Sequence, residues 1–227
     1  MPQAEPNIHW SAMTRFVNQL DHDLRNHLNA IELQCALLSD LVDEPEPKEE
    51  IQRLREMTGQ LEADLQRLCD RLAKVRLTTL PYQARELVED LRAKLEREQA
   101  EEAAAIEWQI SLGTESFAID PQLLLEAFVE LFRNAFTHSR AEGAIIFAVR
   151  GDGDVVEFVL REPKMKFDGA TENWGMRPFE QIRHGHYGLG LFRARSIFEE
   201  HHGTLRAQFD PAASALVTTV SLPRLAP

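Results

Sequence analysis

The residues that most clearly suggest chemistry lie near the N-terminus, where a histidine stands between two aspartates. Residues 20–29 read LDHDLRNHLN, so that His22 is flanked by Asp21 and Asp23 and is followed four positions later by Asn26. Positions four apart on an α-helix share a face, which places Asn26 beside His22. An exposed imidazole next to a carboxylate, with an amide one turn away, could take a phosphoryl group on a ring nitrogen.

Three further sites in the second half of the chain could bind a metal ion and a nucleotide. Glu130 and Asn134 lie one helical turn apart, and their oxygens could hold a hydrated Mg²⁺. Gly188 and Gly190 open a predicted helix, where free backbone N–H groups attract phosphate and glycine lets it approach closely. Glu162 directly follows a predicted strand, where its carboxylate could meet a nucleotide base.

Two long amphipathic helices are predicted at the N-terminus, and the first of them carries His22. Apolar residues recur every three or four positions over 16–42 and again over 51–75. His22 lies about 200° around the helix from Leu20 and so points away from the apolar stripe. Residues 43–48 contain two prolines and predict a turn, which gives an antiparallel hairpin. One hairpin covers one side of each stripe, so we predict that two copies pair as a homodimeric four-helix bundle.

The remainder of the chain mixes strand and helix patterns. Helices are predicted over 85–102, 120–138 and 188–202, strands over 106–112, 144–150, 155–161, 204–209 and 215–222, and a long loop over 163–187. Strands joined by tight turns and interspersed with helices predict an α+β two-layer sandwich. We therefore divide the chain into a helical hairpin, residues 1–78, and a sandwich domain, residues 79–227.

Composition argues against several classes of partner. The net charge of −12 over 227 residues opposes binding to nucleic acid or to an anionic membrane surface. The sequence has no signal-peptide pattern and no apolar run of about 18 residues, which predicts a cytoplasmic protein without membrane insertion. Cys35 and Cys69 stand at apolar helix positions and are predicted to be core residues in a reducing compartment.

In their order and spacing, these motifs resemble the catalytic portion of two-component sensor histidine kinases over nearly the whole chain. Residues 22–26 look like the H box, residues 130–134 like the N box, Phe179 like the F box and residues 188–190 like the G2 box. The resemblance implies a dimerisation and histidine-phosphotransfer hairpin over 1–78. It also implies a catalytic domain of the GHKL ATPase type over 79–227.

The resemblance also implies roles for the hairpin residues. His22 would accept the γ-phosphoryl group of ATP and pass it to an aspartate on the receiver domain of a response regulator. Asp23 would orient the imidazole and help to take its proton. Asn26 would stand where related proteins position the water that hydrolyses a partner's phosphoaspartate.

In the second domain, the resemblance implies a site for ATP and Mg²⁺. Asn134, with Glu130, would hold Mg²⁺ on the phosphates, while Gly188 and Gly190 would let the adjoining loop close over them. Glu162 takes the place of an aspartate that accepts a hydrogen bond from the adenine amino group.

The segment after Glu162 departs from the family pattern, which keeps three interpretations open. Lys164 and Met165 stand where glycines normally leave room for the base, and Thr137 replaces a basic residue that contacts phosphate. Loss of a buried hydrogen bond together with overpacking would weaken ATP binding by about two orders of magnitude or more. Asp23 beside His22, Asn134 and the two glycines nevertheless favour a histidine kinase. The alternatives are a kinase-derived histidine phosphotransferase, which relays phosphate between receiver domains without ATP, and a non-catalytic dimeric adaptor.

Overall fold

The computed structural model describes residues 10–137, 141–167, 171, 173–179 and 188–225. The chain divides into two compact units, Met1–Lys74 and Val75–Pro227. His138 and parts of the predicted 163–187 loop, namely residues 168–170, 172 and 180–187, lie outside the described residues. Among the described residues, no helix combines the length and the apolar character needed to cross a membrane.

The first unit is the predicted helical hairpin, formed by α1 (Trp10–Leu41) and α2 (Pro45–Leu72). The second helix starts six residues before the predicted start at Ile51, because both prolines belong to its first turn. Backbone N–H groups in a first helical turn have no acceptor within the helix, so proline costs nothing there and its fixed φ suits the helix. The connection between the helices is correspondingly short, residues 42–44.

The hairpin by itself covers the apolar stripes incompletely. Leu28, Cys35 and Ile51 are buried between the helices. Ten large apolar side chains of the hairpin remain well exposed, namely Phe16, Leu20, Ile31, Leu33, Leu37, Leu38, Leu41, Leu54, Met57 and Leu61. Each of these side chains leaves apolar surface in contact with water, and covering it by a partner would be favourable.

The second unit contains seven strands and four helices among the described residues. In chain order they are β1 (Leu80–Gln83), α3 (Ala84–Glu98), α4 (Ala100–Ala103), β2 (Ile106–Ser111), β3 (Ser116–Ile119), α5 (Pro121–Thr137), β4 (Ile145–Asp152), β5 (Val155–Pro163), α6 (Gly190–Glu200), β6 (Thr204–Asp210) and β7 (Ala215–Pro223). The main sheet has the order β2-β4-β5-β7-β6, with β2 and β4 parallel and the other neighbours antiparallel. The predicted α+β sandwich after a helical hairpin is confirmed.

The sequence patterns did not predict the small antiparallel sheet of β1 and β3. Each strand has four residues, and Pro81 within β1 reads as a loop residue because proline cannot donate to a strand partner. In the structure Pro81 lies opposite Ala118 in a two-stranded sheet, where β1 has no second neighbour. Proline is tolerated there because it removes no hydrogen bond from a central strand.

Helices cover one face of the main sheet, and aromatic residues fill the space between. Phe128 on α5 contacts Phe147 of β4, Phe158 of β5 and Phe198 of α6, with ring centroids between 4.8 and 6.1 Å apart. Along β5, alternate residues from Val156 onward are buried against the helices. This alternation continues to Glu162, which places a carboxylate in the helix-facing row at the end of the strand.

Two buried polar side chains connect distant parts of this unit. The backbone N–H of Asp120 donates to Nε2 of His201 at 3.0 Å, and Nδ1 of the same imidazole donates to the Ile197 carbonyl at 2.7 Å. Arg195 donates to the carbonyls of Trp174 and Leu205 at 2.6 and 2.7 Å. Burial lowers the pKa of His201, so the ring is held neutral with its proton on Nδ1.

Candidate functional site

His22 is exposed on the middle of α1, away from the buried side of the hairpin. Its side chain is 70% exposed, and its Nδ1 lies 3.3 Å from Oδ1 of Asp23. Nδ2 of Asn26, one turn further on, lies 3.5 Å from the same ring nitrogen. The structure therefore brings together the three hairpin residues that the sequence singled out.

The two contacts of His22 correspond to different tautomers of the imidazole. With a proton on Nδ1, the ring donates to Asp23 and the lone pair lies on Nε2. With the proton on Nε2, Nδ1 can instead accept from the Asn26 amide. A hydrogen bond to a carboxylate is the stronger of the two, so Asp23 favours the form in which Nε2 is the nucleophile. Gln19 supports this arrangement by donating to Oδ1 of Asp23 at 2.9 Å.

An ion-pair network that sequence reasoning missed fixes the helix beside His22. Arg25 donates to Oδ2 of Asp21 at 2.9 Å, and it also reaches Gln66 and Glu62 on α2. Burial raises the pKa of the Cys69 thiol and the nearby Asp21 carboxylate raises it further, so Cys69 is a neutral thiol rather than a reactive thiolate. The four-residue spacing of Asp21 and Arg25 could have indicated their ion pair from the sequence. No sequence pattern indicated the contacts of Arg25 with Glu62 and Gln66 on α2.

In the second unit, Glu130 on α5 lies directly against Gly190, the first residue of α6. A Cβ built on Gly190 would be only 1.7 Å from Oε1 of Glu130. The other carboxylate oxygen accepts from Nη1 of Arg133 at 2.7 Å, and the Glu130 side chain is 15% exposed. The predicted metal-binding and glycine motifs thus meet at one place, although 60 residues separate them.

Asn134 lies one turn beyond Glu130 and carries an amide nitrogen that is buried without a hydrogen-bond partner among the described residues. Buried polar atoms without a partner are uncommon, which indicates that a group outside the described chain satisfies this amide. The described residues contain no cluster of three or more histidine, cysteine, aspartate or glutamate side chains that could hold a metal by themselves. Mg²⁺ needs one or two protein oxygens when phosphates and water supply the others, and the side chains of Glu130 and Asn134 each carry an oxygen of that kind.

The glycine and phenylalanine motifs also lie next to each other. The Phe179 N–H donates to the Gly188 carbonyl at 3.3 Å. Gly188 has a φ of +63°, a conformation that favours glycine, and it precedes α6 by two residues. Helix α6 starts at Gly190 rather than at the predicted residue 188, because the left-handed backbone at Gly188 cannot begin a right-handed helix.

Glu162 does not present a free carboxylate. Its Oε2 lies 3.4 Å from Nζ of Lys164, and the two side chains are only 8% and 4% exposed. Burial raises the pKa of Glu162 above its ordinary value, and the Lys164 ammonium offsets only part of this rise. The structure corrects the expected role of Met165, whose side chain does not fill the base site because Met165 is 80% exposed.

Comparison with known proteins supports the resemblance drawn from these motifs. No protein-family model matches the chain. The chain is 24% identical over 216 residues to the sensor histidine kinase CpxA of Klebsiella pneumoniae, a match that covers 92% of this chain and 47% of CpxA. It is 26% identical over 210 residues to the sensor histidine kinase ZraS of Klebsiella oxytoca, covering 87% of this chain and 43% of ZraS. The chain thus spans less than half the length of these relatives.

Solved structures share the fold. Full-length ShkA in complex with AMPPNP matches 94% of this chain and 46% of its own, with a TM-score of 0.67 and 18% identity. The Acinetobacter baumannii histidine kinase AdeS matches 89% of this chain and 97% of its own, with a TM-score of 0.52 and 18% identity. The catalytic domain of histidine kinase ThkA matches 64% of this chain and 95% of its own, with a TM-score of 0.53 and 16% identity. The predicted resemblance to the sensor histidine kinases is confirmed.

Proposed function

We propose that this chain is the phosphotransfer and ATP-binding portion of a two-component histidine kinase. It would phosphorylate His22 from ATP and pass the phosphoryl group to an aspartate of a response-regulator receiver domain. The observation that carries this proposal is an exposed imidazole held through Nδ1 by Asp23, on a hairpin that precedes a sandwich of histidine-kinase fold. An adaptor function gives no reason for that arrangement.

The contacts of His22 explain how it would act as a nucleophile. With Nδ1–H donated to Asp23, the Nε2 lone pair would attack the γ-phosphorus, forming an N–P bond as the bond to the β-phosphate oxygen breaks and ADP leaves. The ring gains positive charge as the bond forms, and the adjacent carboxylate stabilises it and then takes the Nδ1 proton. Transfer to a receiver aspartate reverses these changes at nitrogen. Asn26, on the same face, would position the water that hydrolyses a receiver's phosphoaspartate.

The second unit would bind ATP with Mg²⁺. Bound ATP supplies the phosphoryl group. The side-chain oxygens of Asn134 and Glu130 would hold the metal, and the Asn134 amide nitrogen, which has no partner among the described residues, would donate to a phosphate oxygen. Gly190 leaves room for the Glu130 carboxylate beside the N-terminus of α6, where backbone N–H groups attract phosphate. Glu162 would accept from the amino group of the base. The Glu130–Arg133 pair keeps this end of the site close to neutral before nucleotide binds.

We also propose that the chain acts as a homodimer through its hairpin. The apolar side chains exposed along α1 and α2 would be covered by the same side chains of a second hairpin, which gives a four-helix bundle. Sedimentation or light scattering at micromolar concentration should give twice the mass of one chain. A monomer mass would refute this part of the proposal.

The experiment for the function is phosphoryl labelling with a matched control. The purified chain is incubated with γ-labelled ATP and Mg²⁺, as wild type and as His22→Ala and His27→Ala, since both histidines are exposed on α1. We expect acid-labile label in the wild type and in His27→Ala but none in His22→Ala. Label that survives in His22→Ala would refute the assignment of His22.

A second labelling arm distinguishes the kinase from the relay. A phosphorylated receiver domain replaces ATP as the phosphoryl donor, with the same three proteins. Label from both donors supports the kinase. Label on His22 from the receiver alone would establish the relay instead, and label from neither donor would leave the adaptor.

A further inference from the structure

The end of β5 holds a charged pair that is sealed from water. The row of side chains facing the helices runs through Phe158 and Leu160 and ends at Glu162. Among the described residues, Oε2 of Glu162 has no hydrogen-bond partner of normal geometry, and the Lys164 ammonium lies 3.4 Å from it. Burying two charges is costly unless each compensates the other.

The backbone fixes the position from which the lysine reaches this carboxylate. The Lys164 N–H donates to the Ser214 carbonyl at 2.8 Å, and the preceding carbonyl, of Pro163, accepts from Ala141 at 2.9 Å. The lysine backbone is therefore held on both sides, while its neighbour Met165 points into solvent. Lys164 is therefore buried while the next residue, Met165, is exposed.

We infer that Lys164 is a built-in occupant of the nucleotide-base site, whose ammonium takes the place of the base amino group at Glu162. An amino group donates to a carboxylate as an ammonium does, so the two compete for the same acceptor. Because both side chains are almost fully covered, a base reaches Glu162 only after the lysine leaves. This inference rests on the proposed ATP site and identifies Lys164 as the residue that sets its affinity.

The test is nucleotide binding by calorimetry with ATP–Mg²⁺ and, separately, with adenosine, at pH 7.5. Lys164→Gly removes the ammonium and opens space, and Met165→Gly is the matched control with the same backbone change at an exposed side chain. We expect Lys164→Gly to bind both ligands about 10- to 100-fold more tightly, the range for one hydrogen bond to a charged group, and Met165→Gly to bind as the wild type does.

A double variant identifies the acceptor. Glu162→Gln combined with Lys164→Gly keeps the space but removes the negative charge, so the gain in affinity should be largely lost. Circular dichroism checks each variant, and Lys164→Ala replaces Lys164→Gly if the glycine variant does not fold.

The inference is overturned if the folded lysine variant binds no more tightly than wild type, if it binds less tightly, or if Met165→Gly gains equally. Failure of the proposed kinase would show differently. In that case nucleotide would bind more tightly to the lysine variant, but His22 would take no label from ATP.

Discussion

The contact between Glu130 and Gly190 gives the sharpest quantitative prediction, through the substitution Gly190→Ala. The new Cβ would lie 1.7 Å from Oε1 and 2.4 Å from Cδ of Glu130, whereas carbon atoms in contact are about 3.5 Å or more apart. The carboxylate must therefore move and its bond to Arg133 must lengthen or break. Overpacking of this kind costs about 1–3 kcal/mol, and the partly exposed ion pair adds less than about 1 kcal/mol. For a unit of this size, we expect a melting temperature lower by about 2–16 °C.

The assay is a double-mutant cycle with Glu130→Ala, followed by thermal and urea unfolding. Tryptophan fluorescence follows mainly this unit, because two of the three tryptophans, Trp108 and Trp174, belong to it. Without the carboxylate, Gly190→Ala should be neutral or stabilise by up to about 1 kcal/mol, since alanine has the higher helix propensity. The expected coupling free energy is therefore about 1–5 kcal/mol. Gly59→Ala in α2, where a Cβ meets nothing within 4 Å, is the control and should stabilise the hairpin.

Additivity would refute the reasoning. If Gly190→Ala changes the unfolding free energy equally with and without Glu130, to within about 0.5 kcal/mol, the two residues do not compete for the same space. The meeting of the metal-binding and glycine motifs at one place would then lose its support.

Three further predictions concern the rest of the fold. Because burial lowers the pKa of His201, the unfolded chain binds a proton below about pH 6.5 that the folded chain does not. The free energy of unfolding, measured with urea, should therefore be highest above that pH and decrease as the pH is lowered from 7.5 to 5.5. The decrease should be smaller in His201→Gln, and an identical pH profile in that variant would contradict the assignment. Arg195→Lys should lower the free energy of unfolding by about 2–4 kcal/mol, because a lysine cannot donate to both the Trp174 and the Leu205 carbonyls. A loss below about 1 kcal/mol would show that the two guanidinium hydrogen bonds are not needed for stability. Glu32→Gln breaks a pair with Arg55 that is 2.6 Å long but about 40% exposed, so the urea midpoint should stay close to that of the wild type, and a clear loss of stability would contradict this view of the pair.

The hairpin and the arrangement around His22 follow from local sequence spacing. Residues four apart meet on any α-helix, so the approach of Asn26 to His22 needed nothing beyond the helical period. The sequence also predicted all five strands of the main sheet, and at β4 and β5 the signal was two short apolar, valine- and isoleucine-rich runs around a tight glycine-containing turn. It failed for β1, where four residues containing a proline carry no usable period.

What the sequence determined by itself is the order of the motifs, the helical face of His22 and the fold class, since all of these depend on spacing along one element. Tertiary structure alone decided which distant side chains meet. Glu130 lies against Gly190, 60 residues further along the chain. The His201 imidazole accepts a hydrogen bond from the backbone N–H of Asp120, 81 residues earlier. Likewise, neighbouring Lys164 and Met165 have opposite fates, one sealed against Glu162 and the other in solvent. Such contacts depend on how helices pack on the sheet, and no local period in the sequence records that packing.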